Sequence, residues 1–315
     1  MSLSRLGSLG LTVTCSVRGF GSARFFDTSK SAAAAAAVSG RAFHVSVRKQ
    51  KQQAPGPSVL VERHGSICSI GINRPEARNA VNLETGRQLV EAFKTFEGDS
   101  SLTAAVFHGI GGHFCAGFDL KELCHQREAL DIKQDVTKGP GPMGPSRMQF
   151  TKPVIAAVSG YAVAGGLELS LLADLRVMEE SAITGVFCRR FGVPLIDGGT
   201  VRLPQLIGLS RALDLILTGR PVGAQEALHF GIANRVVPDG KGLECALDLA
   251  ERISCFPQEC LRADRSSAYH SVFDAPSFTE AMQFEFDNAK HVLLSEAIAG
   301  ADKFASGIGK GGKFF

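Results

Sequence analysis

Residues 154–178 constrain the fold of this chain more than any other stretch. The apolar run at 154–158 (VIAAV) has the length and β-branched content of a buried strand. It gives way to small residues, Ser159-Gly-Tyr-Ala-Val-Ala-Gly-Gly166, and then to the apolar-rich 167–173 (LELSLLA), which reads as a helix. A further strand is expected over 174–178. Strand, small-residue turn, helix and strand in this order belong to an α/β layer architecture.

The same alternation extends outward. A Pro/Gly linker at 52–58 precedes two strands, 59–61 and 66–73, turned at His64-Gly65. Apolar residues at 83, 89, 90, 93 and 96 have helical spacing. A buried-type strand at 102–108 leads into the loop Gly109-Ile-Gly-Gly112, and Asp119 can cap a short helix after it. Residues 126–150 are polar and then rich in Gly and Pro (138–146, KGPGPMGPS), which reads as a mobile loop or lid. Helices are expected over 198–207, 209–218, 223–230, 241–254, 257–270 and 275–307, with a strand at 233–237.

Charge divides the chain. The 315 residues carry a net charge of +3, yet residues 1–50 hold seven basic groups and one acid, so the remainder is net −3. An Arg-rich, Ser-rich, acid-poor start is the composition of an organellar transit peptide. Arg41-Ala-Phe-His-Val-Ser46 resembles a mitochondrial cleavage pattern, so residues 1–50 are expected to be a transit peptide and the protein to reside in the mitochondrial matrix. Residues 51–255 then form the core and 256–315 a C-terminal helical region. The near-neutral balance gives no basic stripe for nucleic acid, and no stretch reaches the about 18 apolar residues that span a bilayer. The eight cysteines have no CxxC pairs and no His at zinc spacing, so no metal site is expected and they read as buried thiols.

Two loops can do chemistry. In His113-Phe-Cys-Ala-Gly-Phe-Asp119 and in Ala162-Val-Ala-Gly-Gly-Leu-Glu168, small residues free backbone N–H groups at a helix start. Two such donors aimed at one oxygen make an oxyanion hole. By pattern alone, turns of this kind serve close packing just as well.

These residues carry a family resemblance. Ile155-Ala-Ala-Val-Ser-Gly-Tyr-Ala-Val-Ala-Gly-Gly-Leu-Glu-Leu-Ser-Leu-Leu-Ala-Asp174 resembles the signature of the enoyl-CoA hydratase/isomerase (crotonase) family. Asn73-Arg-Pro-Glu-Ala-Arg-Asn-Ala80, Phe114-Cys-Ala-Gly-Phe-Asp119 and Gly198-Gly-Thr-Val-Arg-Leu-Pro204 match in order, and the likeness covers about residues 58–307. It implies a crotonase-like spiral of ββα turns with a C-terminal helical region that trimerises, as a homotrimer or homohexamer. It also implies an acyl-CoA thioester substrate, with no cofactor because coenzyme A is part of the substrate.

Carried over residue by residue, the resemblance makes the N–H groups of Phe118 and Gly165 the oxyanion donors. Arg78, Ala80, Ala116, Lys121 and Phe304 fall where members contact coenzyme A; for Arg78 and Lys121 an ordinary surface charge is the alternative. Glu168 occupies the first of the two catalytic glutamate positions of the hydratases. Set among Val163, Leu167, Leu169 and Leu171, it should be desolvated and raised in pKa. Cys188 stands where the second glutamate would be, and a thiol with a pKa near 8.5 is a poor base at neutral pH. Asp197 lies where dienoyl-CoA isomerase-like members carry an acidic catalyst. The implied function is reversible hydration of a 2-enoyl-CoA in fatty-acid or related metabolism. Double-bond isomerisation by Glu168 and Asp197, or acyl-CoA binding without catalysis, are the alternatives.

Overall fold

A computed structural model describes residues 56–125 and 135–309. The expected transit peptide at 1–50 lies outside these residues, as does the 126–134 part of the expected loop. The described residues fall in one unit, Gln52–Phe315.

The six-stranded sheet starts with a hairpin. β1 (Val59–His64) and β2 (Ile67–Ile72) are antiparallel and turn at Gly65, whose φ of 61° suits glycine. β3 (Ala104–Gly109), β4 (Val154–Val158), β6 (Leu175–Glu179) and β9 (Arg235–Val237) add in parallel, in the order β1-β2-β3-β4-β6-β9. β2 and β4 are buried along their whole length, as strands covered on both faces must be.

On one face lies α1 (Leu83–Gly98), capped by Asn82, whose side chain accepts from Thr85 N at 2.9 Å. Its buried Phe93 stacks on Phe150 at 4.8 Å and meets Phe107 edge-on at 5.3 Å; Phe107 in turn meets Phe114 at 5.1 Å. This aromatic chain runs from α1 through β3 to the loop that carries Phe118. On the other face, Ala246, Leu249 and Ala250 of α7 (Gly242–Ser254) pack with Ile67, Val106, Ile155 and Val177.

The smaller sheet positions the site. β5 (Tyr161–Val163), β7 (Ile183–Gly185) and β8 (Val222–Gly223) pair in the order β5-β7-β8, and a parallel bridge from Cys115 to Ala162 extends it. Each turn of chain therefore gives a strand to the large sheet, a strand or bridge to the small one, and a helix. β4, β5 and α3 (Gly165–Ser170) form one turn; β3, the Cys115 bridge and α2 (Leu120–His125) form the turn before it. This is the expected ββα spiral.

Several expectations are corrected. α3 begins at Gly165, two residues before the expected 167, because Ala164 adopts φ 55° and ψ −126° and turns the chain sharply. The short strands β5, β7 and β8 were invisible to patterns that need four or more alternating residues. The single helix expected over 275–307 is divided into α9 (Phe278–Ala289), a π-turn at Leu293–Ala297 and α10 (Ile298–Ala305). Of the cysteines expected to be buried, Cys124, Cys255 and Cys260 are exposed.

The largest correction concerns the Gly/Pro-rich stretch. Residues 135–140 are exposed, but 141–146 form an ordered, mostly buried wall: Met143 is 1% exposed, and Pro145–Arg147 forms a 3-10 turn with Pro145 and Ser146 buried. Gly141 and Gly144 close the turn on each other through paired backbone hydrogen bonds of 2.9–3.0 Å. Glycine at 144 permits φ 83°, and side chains from elsewhere satisfy the backbone that regular structure leaves unpaired.

Between α3 and α8, the chain forms α4 (Gly199–Ile207), α5 (Leu209–Thr218), α6 (Ala224–Phe230) and α7, and α8 spans Gln258–Phe273. Among the described residues, no helix is long and apolar enough to cross a membrane.

Candidate active site

The bridge between Cys115 and Ala162 sets two loops in register. Phe118 lies three residues after Cys115, and Gly165 three residues after Ala162. Gly117, at φ 101°, presses against the second loop: a Cβ there would lie 3.0 Å from Gly165 N. The Gly117 carbonyl accepts from Val81 N at 2.8 Å, which turns the Phe118 N–H of the same peptide the opposite way. The Ala164 carbonyl likewise accepts from Glu168 N at 3.3 Å. Among the described residues, neither the Phe118 N–H nor the Gly165 N–H has a hydrogen-bond partner.

Glu168 is one helical turn beyond Gly165 and is 3% exposed. Its Oε1 accepts from Gly199 N at 2.8 Å and from Asp197 N at 3.0 Å. A side chain at Gly199 would crowd it, since a Cβ there would lie 3.0 Å from Oε1. Burial pushes the carboxyl up to about 7; the nearby Asp197 charge adds to this and the two N–H donors oppose it.

Asp197 is 4% exposed, and burial raises its pKa too. Its Oδ1 accepts from Met143 N at 2.9 Å and from the Ser146 hydroxyl. Arg202 spans the same parts, donating from Nη1 to Asp197 O at 3.1 Å and from Nη2 to Ser146 O at 2.8 Å. Cys188 is buried in the short 3-10 helix Phe187–Phe191; burial, then the Glu168 charge, raises its thiol. The structure thus brings Phe118, Gly165, Glu168, Asp197 and Cys188 together.

Three of the residues expected to contact coenzyme A are joined beside them. Ala116 N donates to Arg78 O at 3.0 Å, and Ala80 closes the same turn through Ala80 N to Ala77 O at 3.1 Å. Arg78 is exposed, with its guanidinium 5.9 Å from the Tyr161 ring centroid. Lys121 is exposed on α2, its N–H bound to Asp119 Oδ1 at 3.2 Å. Phe304 is 66% exposed on α10, and the structure does not bring it to this cluster.

Sequence reasoning missed the supports. Asn79 is fully buried at φ 57°; its Nδ2 donates to Ile110 O at 2.9 Å and His113 O at 2.6 Å, and its Oδ1 accepts from Arg74 N at 2.8 Å. Arg74 also pairs with Asp119 at 3.0 Å, bracing the turn after Phe118. The supporting roles of Met143, Ser146 and Arg202 were hidden because the Met143–Asp197, Ser146–Asp197 and Arg202–Ser146 contacts each span more than fifty residues.

The profile of the family described as Enoyl-CoA hydratase/isomerase matches residues 62–305. The chain belongs to the enoyl-CoA hydratase/isomerase family. An enoyl-CoA hydratase of Mycobacterium tuberculosis is 40% identical over 206 residues, 63% of this chain and 75% of that protein. A carnitinyl-CoA dehydratase of Escherichia coli is 38% identical over 199 residues, 62% and 74% respectively. A crystal structure of an enoyl-CoA hydratase from M. tuberculosis superposes with a TM-score of 0.73 at 36% identity, covering 80% of this chain and 96% of that one. The crotonase fold is thereby established for this family member. These relatives also overturn the expected mitochondrial-matrix address: they are bacterial, from organisms without that compartment.

Proposed function

We propose that this protein is a lyase of acyl-CoA metabolism that adds water reversibly across the C2–C3 double bond of a 2-enoyl-CoA. The observation that carries the reading is Glu168: a buried carboxyl raised to about 7, one helical turn from the unpartnered Gly165 N–H, against which the Phe118 loop packs. The Phe118 and Gly165 N–H groups hold the thioester oxygen, which gains charge as the enolate forms. The Glu168 carboxylate takes a proton from water as the water oxygen bonds to C3. The C2–C3 π pair moves toward the thioester oxygen, and protonated Glu168 returns the proton to C2. One carboxyl cycles through both forms, so no second glutamate is required at position 188. The Cys188 thiol, raised by burial and then by the Glu168 charge, stays protonated at neutral pH.

Arg78, Ala80, Ala116 and Lys121 are assigned to the coenzyme A moiety, and the reaction needs no cofactor beyond it. The exposed apolar side chains Phe278, Phe286 and Leu294 support assigning the helices beyond 255 to self-association as a trimer or hexamer, which sedimentation tests. The activity is tested with 2-enoyl-CoA substrates of graded chain length, read by mass spectrometry. Gain of one water is the expected result; no change in any substrate overturns the reading.

Asp197, a second buried carboxylate with a raised pKa beside Glu168, favours isomerisation as a second reading. Solvent-oxygen label in the product excludes pure isomerisation.

A further inference from the structure

The Asp197 carboxylate sits beside Glu168, but its hydrogen bonds run elsewhere. Its Oδ1 takes the Met143 N–H at 2.9 Å and the Ser146 hydroxyl, both from the Gly/Pro-rich turn. Arg202 ties the same two segments through the Asp197 and Ser146 carbonyls. The turn is built around this grip, since a Cβ on Gly141 would lie 2.8 Å from Asp197 Oδ1. Its product is the placement of Met143, which is 1% exposed and whose Sδ would lie 2.8 Å from a Cβ on Gly165. The backbone of Asp197 meanwhile points the other way, its N–H on Glu168 Oε1 at 3.0 Å.

We propose that Asp197 is a positioning residue: its side chain clamps the 141–147 turn so that Met143 covers the second oxyanion donor, while its N–H orients the Glu168 carboxylate. The roof of the site and its acid–base group are thus set by one residue, and a movement of either disturbs the other. In this role Asp197 transfers no proton. What it supplies is an oxygen acceptor, which an amide oxygen can replace. The proposal rests on the hydratase reading for its catalytic consequence, but the clamp itself does not depend on which reaction runs.

Two readouts on the full chain separate these points. The first is steady-state kinetics of Asp197→Asn, Asp197→Ala and Glu168→Gln on a 2-enoyl-CoA. Asn retains the acceptor, so at least about a fifth of kcat is expected to remain, while Ala loses about fiftyfold in kcat with KM within about threefold, because the coenzyme A contacts lie elsewhere. The second is the rate at which peroxide converts Met143 to its sulfoxide, followed by mass spectrometry. Asp197→Ala should raise that rate about tenfold or more, and Asp197→Asn should leave it near wild type. Asp197→Asn falling to the level of Glu168→Gln with Met143 still protected overturns the proposal and makes Asp197 a proton carrier. Met143 remaining protected in Asp197→Ala overturns the clamp. A wild-type protein that hydrates nothing sinks the hydratase reading alone, and the peroxide measurement still decides the clamp.

Discussion

Glu168 and Asp197 meet through the backbone, not through their carboxylates. The Asp197 N–H donates to Glu168 Oε1 at 3.0 Å, while the Asp197 side chain accepts from Met143 N at 2.9 Å. Two buried acids stand side by side, yet each has its own set of donors. In the proposed hydration, Glu168 is the group whose protonation changes during the reaction.

Its pKa sets a pH profile. Burial raises Glu168 from 4.5 to about 7; the Asp197 charge works in the same direction, while the Gly199 and Asp197 N–H groups and Arg202 oppose it. The base form is the carboxylate, so kcat for hydration is expected to rise with pH through about 7 and to fall below it. Glu168→Gln should abolish that limb and lower kcat by about 10²–10⁴. A rate–pH profile of both proteins checks this.

The same shift makes an opposite prediction for stability. A carboxyl raised in the folded state is more protonated there than in the unfolded chain between pH 4.5 and about 7, so folding stability falls as pH rises through that window. The penalty is complete above about 7. Glu168→Gln removes it while keeping an acceptor for the two N–H groups, so the variant should be the more stable protein at pH 8, by up to roughly 3 kcal/mol. Urea unfolding at pH 5 and pH 8 measures the difference; an equal gap at both pH values contradicts it.

Gly117 is predicted to be irreplaceable for rate. At φ 101°, and with a Cβ that would lie 3.0 Å from Gly165 N, alanine there must displace one loop from the other. Gly117→Ala should cost about 10²–10³ in kcat, the size of losing one oxyanion donor. A circular dichroism spectrum like that of the wild type would place the loss at the site.

Asn79 is predicted to matter for stability. Alanine at this position leaves Arg74 N, Ile110 O and His113 O without their side-chain partner in a buried place. It also puts a non-glycine residue lacking the local amide at φ 57°. A loss of about 2–4 kcal/mol is expected in chemical denaturation.

Legibility from sequence followed the range of the interactions. The hairpin at Gly65, α1 with its apolar stripe, and β4 could be read because each is set by neighbours within a few residues. Glu168, Phe118 and Gly165 lie in two continuous motifs, so the family resemblance could mark them as candidates. The 141–147 wall could not be read: its glycines and prolines signal only the absence of regular structure, and its order comes from Asp197 and Arg202, more than fifty residues on. β5, β7 and β8, of two or three residues each, carry no periodicity of their own and exist because successive turns of the spiral stack. Asn79 lies within the matching 73–80 stretch, but its supporting role could not be read because its work is done at Ile110 and His113, on another loop.

If Glu168 adds water to an enoyl thioester held by Phe118 and Gly165, the new hydroxyl carries the solvent's oxygen. The most direct measurement is incubation of the wild type and Glu168→Gln with a 2-enoyl-CoA in oxygen-18 water, followed by mass spectrometry of the product. A labelled 3-hydroxyacyl-CoA is expected from the wild type, and at least about a hundredfold less of it per unit time from the variant. A wild-type product without the label would exclude hydration, and a variant that forms the labelled product at the wild-type rate would remove Glu168 from the reaction.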